Sequence, residues 1–319
     1  MYKVLMTDNM LKNTSIEETI FAQHGIEFAV ASSSDPAVIA VEGKDCDALL
    51  NIYSDIPASA IASLDKCKAI VRMGIGYNTI DVDAAADKGI MVANVPDYCL
   101  DEVADHTWAL ALSLVRKVSF LNKKVAEGVW NVNLAKPIPR LRGLTMSLFG
   151  FGNIAQRVAS RAQAFGLNVI AYDPYMPKEV FEKAGVAPVE TLDELFAAAD
   201  ILSLHAPLTE GTKHAVNAAA FARMKDTAYV INTSRGPLID EEALTKALAD
   251  KQIAGVALDV LTAEPPVFPL PLCEFDNVIV TPHAAFYSES ATPDLRRCAA
   301  EEVVRTLTEG KPKNWVNRR

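Results

Sequence analysis

Residues 145–155 have the sequence Thr-Met-Ser-Leu-Phe-Gly-Phe-Gly-Asn-Ile-Ala, in which an apolar run leads directly into the pattern G-x-G-x-x-A. The run predicts a buried strand, and the spacing after it predicts a helix. In such a unit Gly150 permits a tight turn, Gly152 lets a phosphate approach the backbone, and Ala155 lets the helix pack on the strand. The first N–H groups of the helix can bind the phosphates. The pattern predicts a dinucleotide site with contacts from Gly150, Phe151, Gly152, Asn153 and Ile154.

A carboxylate further along the chain supports this interpretation. Asp173 lies 23 residues after Gly150, at the end of the apolar run 168–172. A carboxylate there can accept hydrogen bonds from the adenosine ribose, and it would repel a 2′-phosphate, which favours NAD over NADP. A structural alternative stays open, because glycine turns and Asp-Pro turns also occur without a ligand.

The apolar runs on both sides of this unit alternate with segments of helical spacing. This alternation predicts parallel sheets covered on both faces, in a first unit before residue 98 and a larger second unit from residue 145. Residues 102–126 have apolar side chains at helical spacing, so we expect one long helix there. The tail 288–309 predicts a helix that ends at Gly310 and packs on the first unit.

Composition excludes several classes of function. The chain has 319 residues, 40 acidic and 31 basic, with a net charge of −9, which is the wrong sign for a nucleic-acid partner. No stretch approaches the roughly 18 uncharged apolar residues of a membrane helix, and no signal peptide is apparent, so we expect a cytoplasmic protein without a membrane partner. The five cysteines have no metal spacing, so we expect reduced thiols and no metal site.

Four polar residues follow the later predicted strands. They are Arg235, Asp259, Glu264 and His283. Ligands of open α/β sheets bind beyond the carboxyl ends of the strands, so these side chains should converge beside the dinucleotide. Each of them taken alone also has a structural alternative, as a loop or turn residue.

These residue types suit hydride chemistry on a 2-oxo acid. The planar fork of Arg235 can bind carboxylate and carbonyl oxygens together. His283 can give a proton to the carbonyl oxygen and take it back in the reverse reaction. A hydrogen bond from the imidazole to Glu264 would favour the imidazolium and fix its tautomer.

The first unit and the remaining histidines offer weaker candidates. Residues 72–78, Arg-Met-Gly-Ile-Gly-Tyr-Asn, follow an apolar strand, and glycine N–H groups there can bind a small carboxylate beside Arg72. A plain glycine turn is the alternative. His205 ends a predicted strand and can line the cofactor cleft, whereas His106 and His214 are expected in core or surface roles.

Taken in order, these motifs resemble the D-isomer-specific 2-hydroxyacid dehydrogenase family. The resemblance covers nearly the whole chain. It implies two Rossmann-like domains, with an NAD-binding domain (99–287) inserted into a discontinuous flavodoxin-like substrate domain (1–98 and 288–319), and a homodimer formed through the NAD-binding domain. The segments that carry it are 72–81 (RMGIGYNTID), 150–155, 205–209 (HAPLT), 232–237 (NTSRGP), 257–260 (ALDV) and 281–284 (TPHA).

The same resemblance implies roles for individual residues. Arg235, Glu264 and His283 would be catalytic, and Asp259 would lie near the nicotinamide amide. Further cofactor contacts would come from His205, Ala206, Pro207, Thr212, Thr233, Ser234 and His283. Substrate contacts would come from Arg72, Gly74, Ile75, Gly76, Tyr77, Tyr98 and Phe286.

Residues 95–106 and 283–289 are similar to the subgroup related to C-terminal binding protein and phosphoglycerate dehydrogenase-like proteins. That subgroup commonly carries Trp where this chain has Phe286, and the position is expected to face the substrate. Two hypotheses follow. The first is an NAD-dependent enzyme that interconverts a small 2-oxo acid and the D-2-hydroxy acid. The alternative is an NADH-sensing interaction protein with weak or vestigial activity.

Overall fold

A computed structural model describes residues 1–8 and 13–318. The chain forms two compact units, Met1–Tyr98 with Ser288–Arg319, and Cys99–Tyr287. Each contains its own parallel sheet, one of five strands and one of seven. The predicted fold class, two parallel-sheet α/β domains, is confirmed.

The first unit has the strand order β2-β1-β3-β4-β5. Its strands are β1 (Lys3–Met6), β2 (Glu27–Val30), β3 (Ala48–Asn51), β4 (Ala69–Arg72) and β5 (Met91–Ala93). Its helices are α1 (Ser15–Gln23), α2 (Pro36–Glu42), α3 (Ala58–Ala62), α4 (Val82–Asp87) and the C-terminal α12 (Ala291–Glu309). Helix α12 packs on α1, β3 and β4, and it ends at Gly310 with φ +80°, as the sequence predicts.

A buried ion pair connects the two ends of the chain within the first unit. Arg296 of α12 donates from Nε to Glu17 Oε1 of α1 at 2.7 Å, and its Nη2 donates to the carbonyl of Asn13 at 2.6 Å. The Glu17 side chain has no exposed surface and that of Arg296 is 10% exposed. Removing one partner of such a pair strongly destabilises the fold, because the charge of the other partner is left buried and unpaired.

The second unit has the strand order β12-β11-β10-β9-β6-β7-β8. Its strands are β6 (Thr145–Phe149), β7 (Asn168–Tyr172), β8 (Ala187–Pro188), β9 (Ile201–Leu204), β10 (Tyr229–Asn232), β11 (Gly255–Leu258) and β12 (Val278–Val280). Its helices are α5 (Leu100–Val115), α6 (Val118–Ala126), α7 (Asn153–Ala164), α8 (Lys178–Ala184), α9 (Leu192–Ala198), α10 (Ala218–Arg223) and α11 (Glu241–Ala249).

The strand order places a crevice at one point of the second sheet. Strand β6 pairs with β7 on one side and with β9 on the other. The chain runs outward from β6 through β7 to β8, and then crosses to β9 on the opposite side of β6. Ligands of open α/β sheets bind outside the carboxyl ends of the strands at such a switch point.

The single long helix expected over 102–126 is wrong. The structure has two helices, α5 and α6, because Arg116 ends the first and Lys117 takes the left-handed conformation with φ +56°. The sequence pattern does not predict α2, α8 and β8. Helices α2 and α8 have only seven residues each, and β8 is a two-residue edge strand.

Across residues 1–8 and 13–318, no helix is long and apolar enough to cross a membrane. The same described ranges contain no group of three or more His, Cys, Asp or Glu side chains placed to hold a metal ion. The five cysteines form no disulfide.

Candidate active site

The glycine turn after β6 is built for a close approach between strands. Gly150 has φ +89°, and a Cβ added to it would lie 2.7 Å from the backbone nitrogen of Ala206, beyond β9. Gly152 is different, since it precedes α7 and an added Cβ would meet no atom within 4 Å. Close packing against the Ala206 backbone explains why Gly150 has no side chain, whereas Gly152 leaves open space at the start of a twelve-residue helix. A phosphate group suits that space and the partial positive charge of the helix.

Asp173 completes this edge of the crevice. One carboxylate oxygen accepts the N–H of Phe151 at 2.9 Å, and the other accepts the N–H of Tyr175 at 3.0 Å. Each oxygen can accept a further hydrogen bond, so the carboxylate is held in place for ribose hydroxyls. The Phe151 ring is fully buried and stacks on Phe181, so Phe151 can contribute only its backbone to a ligand. These features fit an adenine dinucleotide.

The loop after β9 lies beside the glycine turn. The N–H of His205 donates to the carbonyl of Phe149 at 2.7 Å, and its Nε2 lies 2.9 Å from Ser203 Oγ. Burial lowers the pKa of His205 to about 4, so the imidazole is neutral near pH 7. Thr212 stabilises the same loop, because its hydroxyl donates to the carbonyl of Pro207 at 2.6 Å.

The loop after β10 carries Arg235. Buried Asn232 shapes it, donating to the carbonyl of Arg235 at 2.8 Å and accepting from the N–H of Ser234 at 3.0 Å. The hydroxyl of Ser234 donates to the carbonyl of Ala206 at 2.7 Å, which connects the loops after β9 and β10. The Arg235 side chain is half-buried, and its Nη1 donates to the carbonyl of Ser234.

Glu264 and His283 form the central contact of the site. His283 Nδ1 lies 2.6 Å from Glu264 Oε2, and the N–H of Leu261 donates to the other carboxylate oxygen at 2.8 Å. Burial opposes ionisation of Glu264, yet the hydrogen bond and charge of His283, the Leu261 amide and the charge of Arg235 hold its pKa below the ordinary value. An ionised carboxylate can only accept, so Nδ1 carries the proton and Nε2 faces away from Glu264, available to a substrate.

Asp259 lies beneath the turn that carries His283. The N–H of His283 donates to the Asp259 carbonyl at 2.8 Å, and the N–H groups of Ala284 and Ala285 each donate to its carboxylate at 2.9 Å. Burial opposes its ionisation, but the hydrogen bonds from His106, Thr281 and these two amides lower its pKa. The side chain has no exposed surface. The expected contact between Asp259 and the nicotinamide amide stays a prediction.

The predicted substrate residues lie in both units. Phe286 belongs to the second unit, and its ring lies edge-on to the His283 imidazole with centroids 6.2 Å apart. The Gly74–Tyr77 loop follows β4 in the first unit. Its carbonyls at Gly74 and Ile75 accept from the Val95 amide and the Asn94 side chain. Within the described part of the chain, the N–H groups of Ile75, Gly76 and Tyr77 donate no hydrogen bond. Tyr98 packs on the core of the first unit.

Two residues that build the site, His106 and Gly236, are not among the residues predicted for it. His106 was expected in a core or surface role, but its Nε2 lies 3.1 Å from Thr281 Oγ1 and 3.4 Å from Asp259 Oδ1. Gly236 follows Arg235 in the segment 232–237, and an added Cβ would lie 2.0 Å from the carbonyl carbon of Leu261. No signal in the sequence marks the His106 contact, because helical spacing alone does not give the residues that face a helix.

Residues 108–285, more than half of the chain, match the model of the NAD-binding domain of the D-isomer specific 2-hydroxyacid dehydrogenases. The chain belongs to the D-isomer specific 2-hydroxyacid dehydrogenase family. The resemblance expected from the sequence is therefore confirmed, and so is NAD as the cofactor of this domain.

Relatives in this dehydrogenase family span the chain. D-3-phosphoglycerate dehydrogenase of Methanocaldococcus jannaschii is 38% identical over 99% of this chain, which spans 60% of that relative's length. Glyoxylate reductase of Korarchaeum cryptofilum is 36% identical over 88% of this chain and 85% of its own. The structure of D-lactate dehydrogenase from Aquifex aeolicus with NAD and lactic acid has a TM-score of 0.88, at 27% identity and 99% coverage of both chains.

Proposed function

We propose that this chain is an NAD(H)-dependent oxidoreductase that interconverts a small 2-oxo acid and the D-2-hydroxy acid. The observation that carries the proposal is the hydrogen bond of 2.6 Å between His283 Nδ1 and Glu264, beside the loop of Arg235 in a dehydrogenase family member. A paired imidazole with its second nitrogen directed away from the carboxylate is suited to general acid–base catalysis.

Three side chains divide the chemistry. The nicotinamide, when bound, supplies or accepts the hydride. His283 Nε2 gives a proton to the carbonyl oxygen during reduction and removes it during oxidation. The Glu264 carboxylate stabilises the His283 imidazolium, which is present before the proton transfer in reduction and after it in oxidation. It can do so because the two side chains are close and partly shielded from water. The Arg235 guanidinium binds the carboxylate and carbonyl oxygens of the substrate.

The two units would have different tasks. The second unit (99–287) would be the NAD-binding domain, with Asp173 selecting NAD over NADP. The first unit (1–98 and 288–319) would be the substrate domain, where the N–H groups of the Gly74–Tyr77 loop and the nearby Arg72 bind the substrate carboxylate. Phe286, packed against the imidazole, would set the size of substrate that reaches His283.

A homodimer formed through the second unit also belongs to this proposal, as does a cytoplasmic location. Support for the dimer comes from an exposed apolar stretch on α6 and the loop after it. Val118 is 56% exposed, Trp130 89% and Val132 72%, and large apolar side chains left exposed this close in sequence are what an interface would cover. Light scattering should give twice the 34.5 kDa of one chain, and Trp130→Ser should shift the mass toward one chain. A monomeric native protein would overturn the dimer.

The activity is tested by NADH oxidation across a panel of 2-oxo acids: glyoxylate, hydroxypyruvate, pyruvate, oxaloacetate and longer analogues. We expect turnover of at least one, and in His283→Asn a fall in kcat of about 100-fold or more with a far smaller change in NADH affinity. Asparagine tolerates the φ of +52° at this position.

A matched control is His214→Asn, since His214 is exposed and also has φ +52°. This variant should keep the native rate. NADH binding without turnover of any acid would favour the NADH-sensing alternative, and full activity of His283→Asn would overturn the acid–base role.

A further inference from the structure

We propose that His106 is a positioning residue for the reaction, which holds the 281–285 turn through Thr281 and Asp259 so that His283 meets Glu264 and the substrate. This inference rests on the proposed function, because it takes His283 as the acid–base group. His106 lies on α5, far from the turn in sequence. Among the described residues, no hydrogen bond joins His106 to the imidazole of His283.

The turn needs an external support. His283 has φ +52°, a left-handed conformation that costs a non-glycine residue about 1–2 kcal/mol. Asp259 accepts most of the hydrogen bonds that stabilise it. The N–H of His283 donates to the carbonyl of Asp259 and also to that of Thr281, and the N–H groups of Ala284 and Ala285 donate to the Asp259 carboxylate. The Asp259 carboxylate therefore holds the backbone that follows His283, and through it helps to set the direction of the imidazole.

His106 and Thr281 determine the position of that carboxylate. The Thr281 hydroxyl donates to Asp259 Oδ1 at 2.5 Å, so its oxygen is the acceptor for His106 Nε2–H at 3.1 Å. His106 Nε2 also lies 3.4 Å from Asp259 Oδ1. A carboxylate without exposed surface depends on such donors, because water cannot replace them.

Thr107, the residue after His106 on α5, contacts another loop of the site. The Thr107 hydroxyl is bonded to the Thr233 hydroxyl at 2.7 Å, in the loop after β10. Thr107 is completely buried and also donates to the carbonyl of Val103, within α5. Two consecutive residues of α5 thus connect to the loops after β10, β11 and β12, which carry Arg235, Glu264 and His283.

The expected effect of losing His106 is a misdirected imidazole in a folded protein. A displacement of about 1 Å at a reacting group can lower a rate by about 100-fold. We therefore expect His106→Leu to lower kcat by about 10- to 100-fold, with KM and the NADH dissociation constant within about threefold of native. His106→Gln keeps an N–H donor near the position of Nε2 and should recover most of the rate.

The test combines kinetics with hydrogen exchange. In native protein the amides of Ala284 and Ala285 are protected by Asp259, and in His106→Leu they should exchange about tenfold faster or more. Thr281→Val should resemble His106→Leu, and Thr281→Ser, which keeps the hydroxyl, should resemble the native protein. All variants should bind NADH and remain folded, and their melting temperatures should fall by no more than the loss of one buried hydrogen bond predicts.

Three results would overturn the proposal. One is a native kcat with native exchange in His106→Leu. Another is no recovery in His106→Gln. The third is a parallel loss of kcat, NADH affinity and melting temperature, which would show a general structural role. If the native protein turns over no 2-oxo acid, the proposed function fails, while the exchange of Ala284 and Ala285 still decides whether His106 holds the turn.

Discussion

Acid should destabilise the second unit through His205. This side chain follows β9 next to the glycine turn, and burial lowers its pKa to about 4, from an ordinary value of 6.5. A group with a lowered folded pKa contributes stability above its unfolded pKa, and that contribution is lost as the pH falls through the folded value. The affected window therefore runs from about pH 6.5 to about pH 4.

The size of the effect follows from the two pKa values. Between pH 8 and pH 5 the unfolded chain gains nearly a full proton at this group, whereas the folded chain gains about a tenth of one. The loss in unfolding free energy is about 2 kcal/mol. Some of the residue remains exposed, so this figure is the upper limit of the effect.

Urea unfolding of the native protein and His205→Gln, at pH 8, 6 and 5, measures this loss. Buried Trp108 reports on the second unit through its fluorescence. The variant differs from the native protein only at position 205, so the difference between the pH dependences of the two proteins isolates His205. We expect the native protein to lose up to about 2 kcal/mol more than the variant by pH 5. Parallel curves for the two proteins would refute the reasoning.

Two further substitutions test packing. Glu17→Ala leaves Arg296 buried without its carboxylate and should destabilise the first unit by about 3–5 kcal/mol, whereas Glu301→Ala, in an exposed pair with Arg297, should cost less than about 1 kcal/mol. Calorimetry that finds equal losses would contradict this. Gly236→Ala pushes on the Leu261 backbone that leads to Glu264, so NADH oxidation and melting temperature should both fall. Gly211→Ala is the control, because a Cβ added there would meet no atom nearer than 3.9 Å. Full activity of Gly236→Ala would contradict the expectation, since it would show that the Leu261 backbone can shift without disturbing Glu264.

The parts of the fold that the sequence predicts well are those where local pattern and burial agree. Strands β6 and β7 have the predicted bounds because their apolar runs are bounded by a glycine or an Asp-Pro turn. The break between α5 and α6 could not be predicted, because Arg116 and Lys117 carry no glycine or proline signal. Lys117 takes a left-handed conformation that non-glycine residues rarely adopt.

Some residues of the candidate site could be predicted from the sequence and others could not. Residues that follow strands could be found from topology alone, since parallel strands bring their carboxyl ends to one edge, and the structure brings Glu264 and His283 into contact there. His106 could not, because its role depends on which face of α5 packs toward the loops after β11 and β12. The need for glycine at position 236 could not be predicted either, because the backbone atoms that would clash with a Cβ belong to Leu261, which is distant in sequence.

The ion pair between Glu17 and Arg296 also bears on the order in which the chain acquires its structure on the ribosome. The two residues are 279 positions apart, so at about 5–20 residues per second the N-terminal part waits roughly 14–56 s for its partner helix. The second unit is complete in sequence by Tyr287. The unit that is synthesised first is therefore the last to become whole, and until α12 emerges a carboxylate destined for the interior has to remain in water.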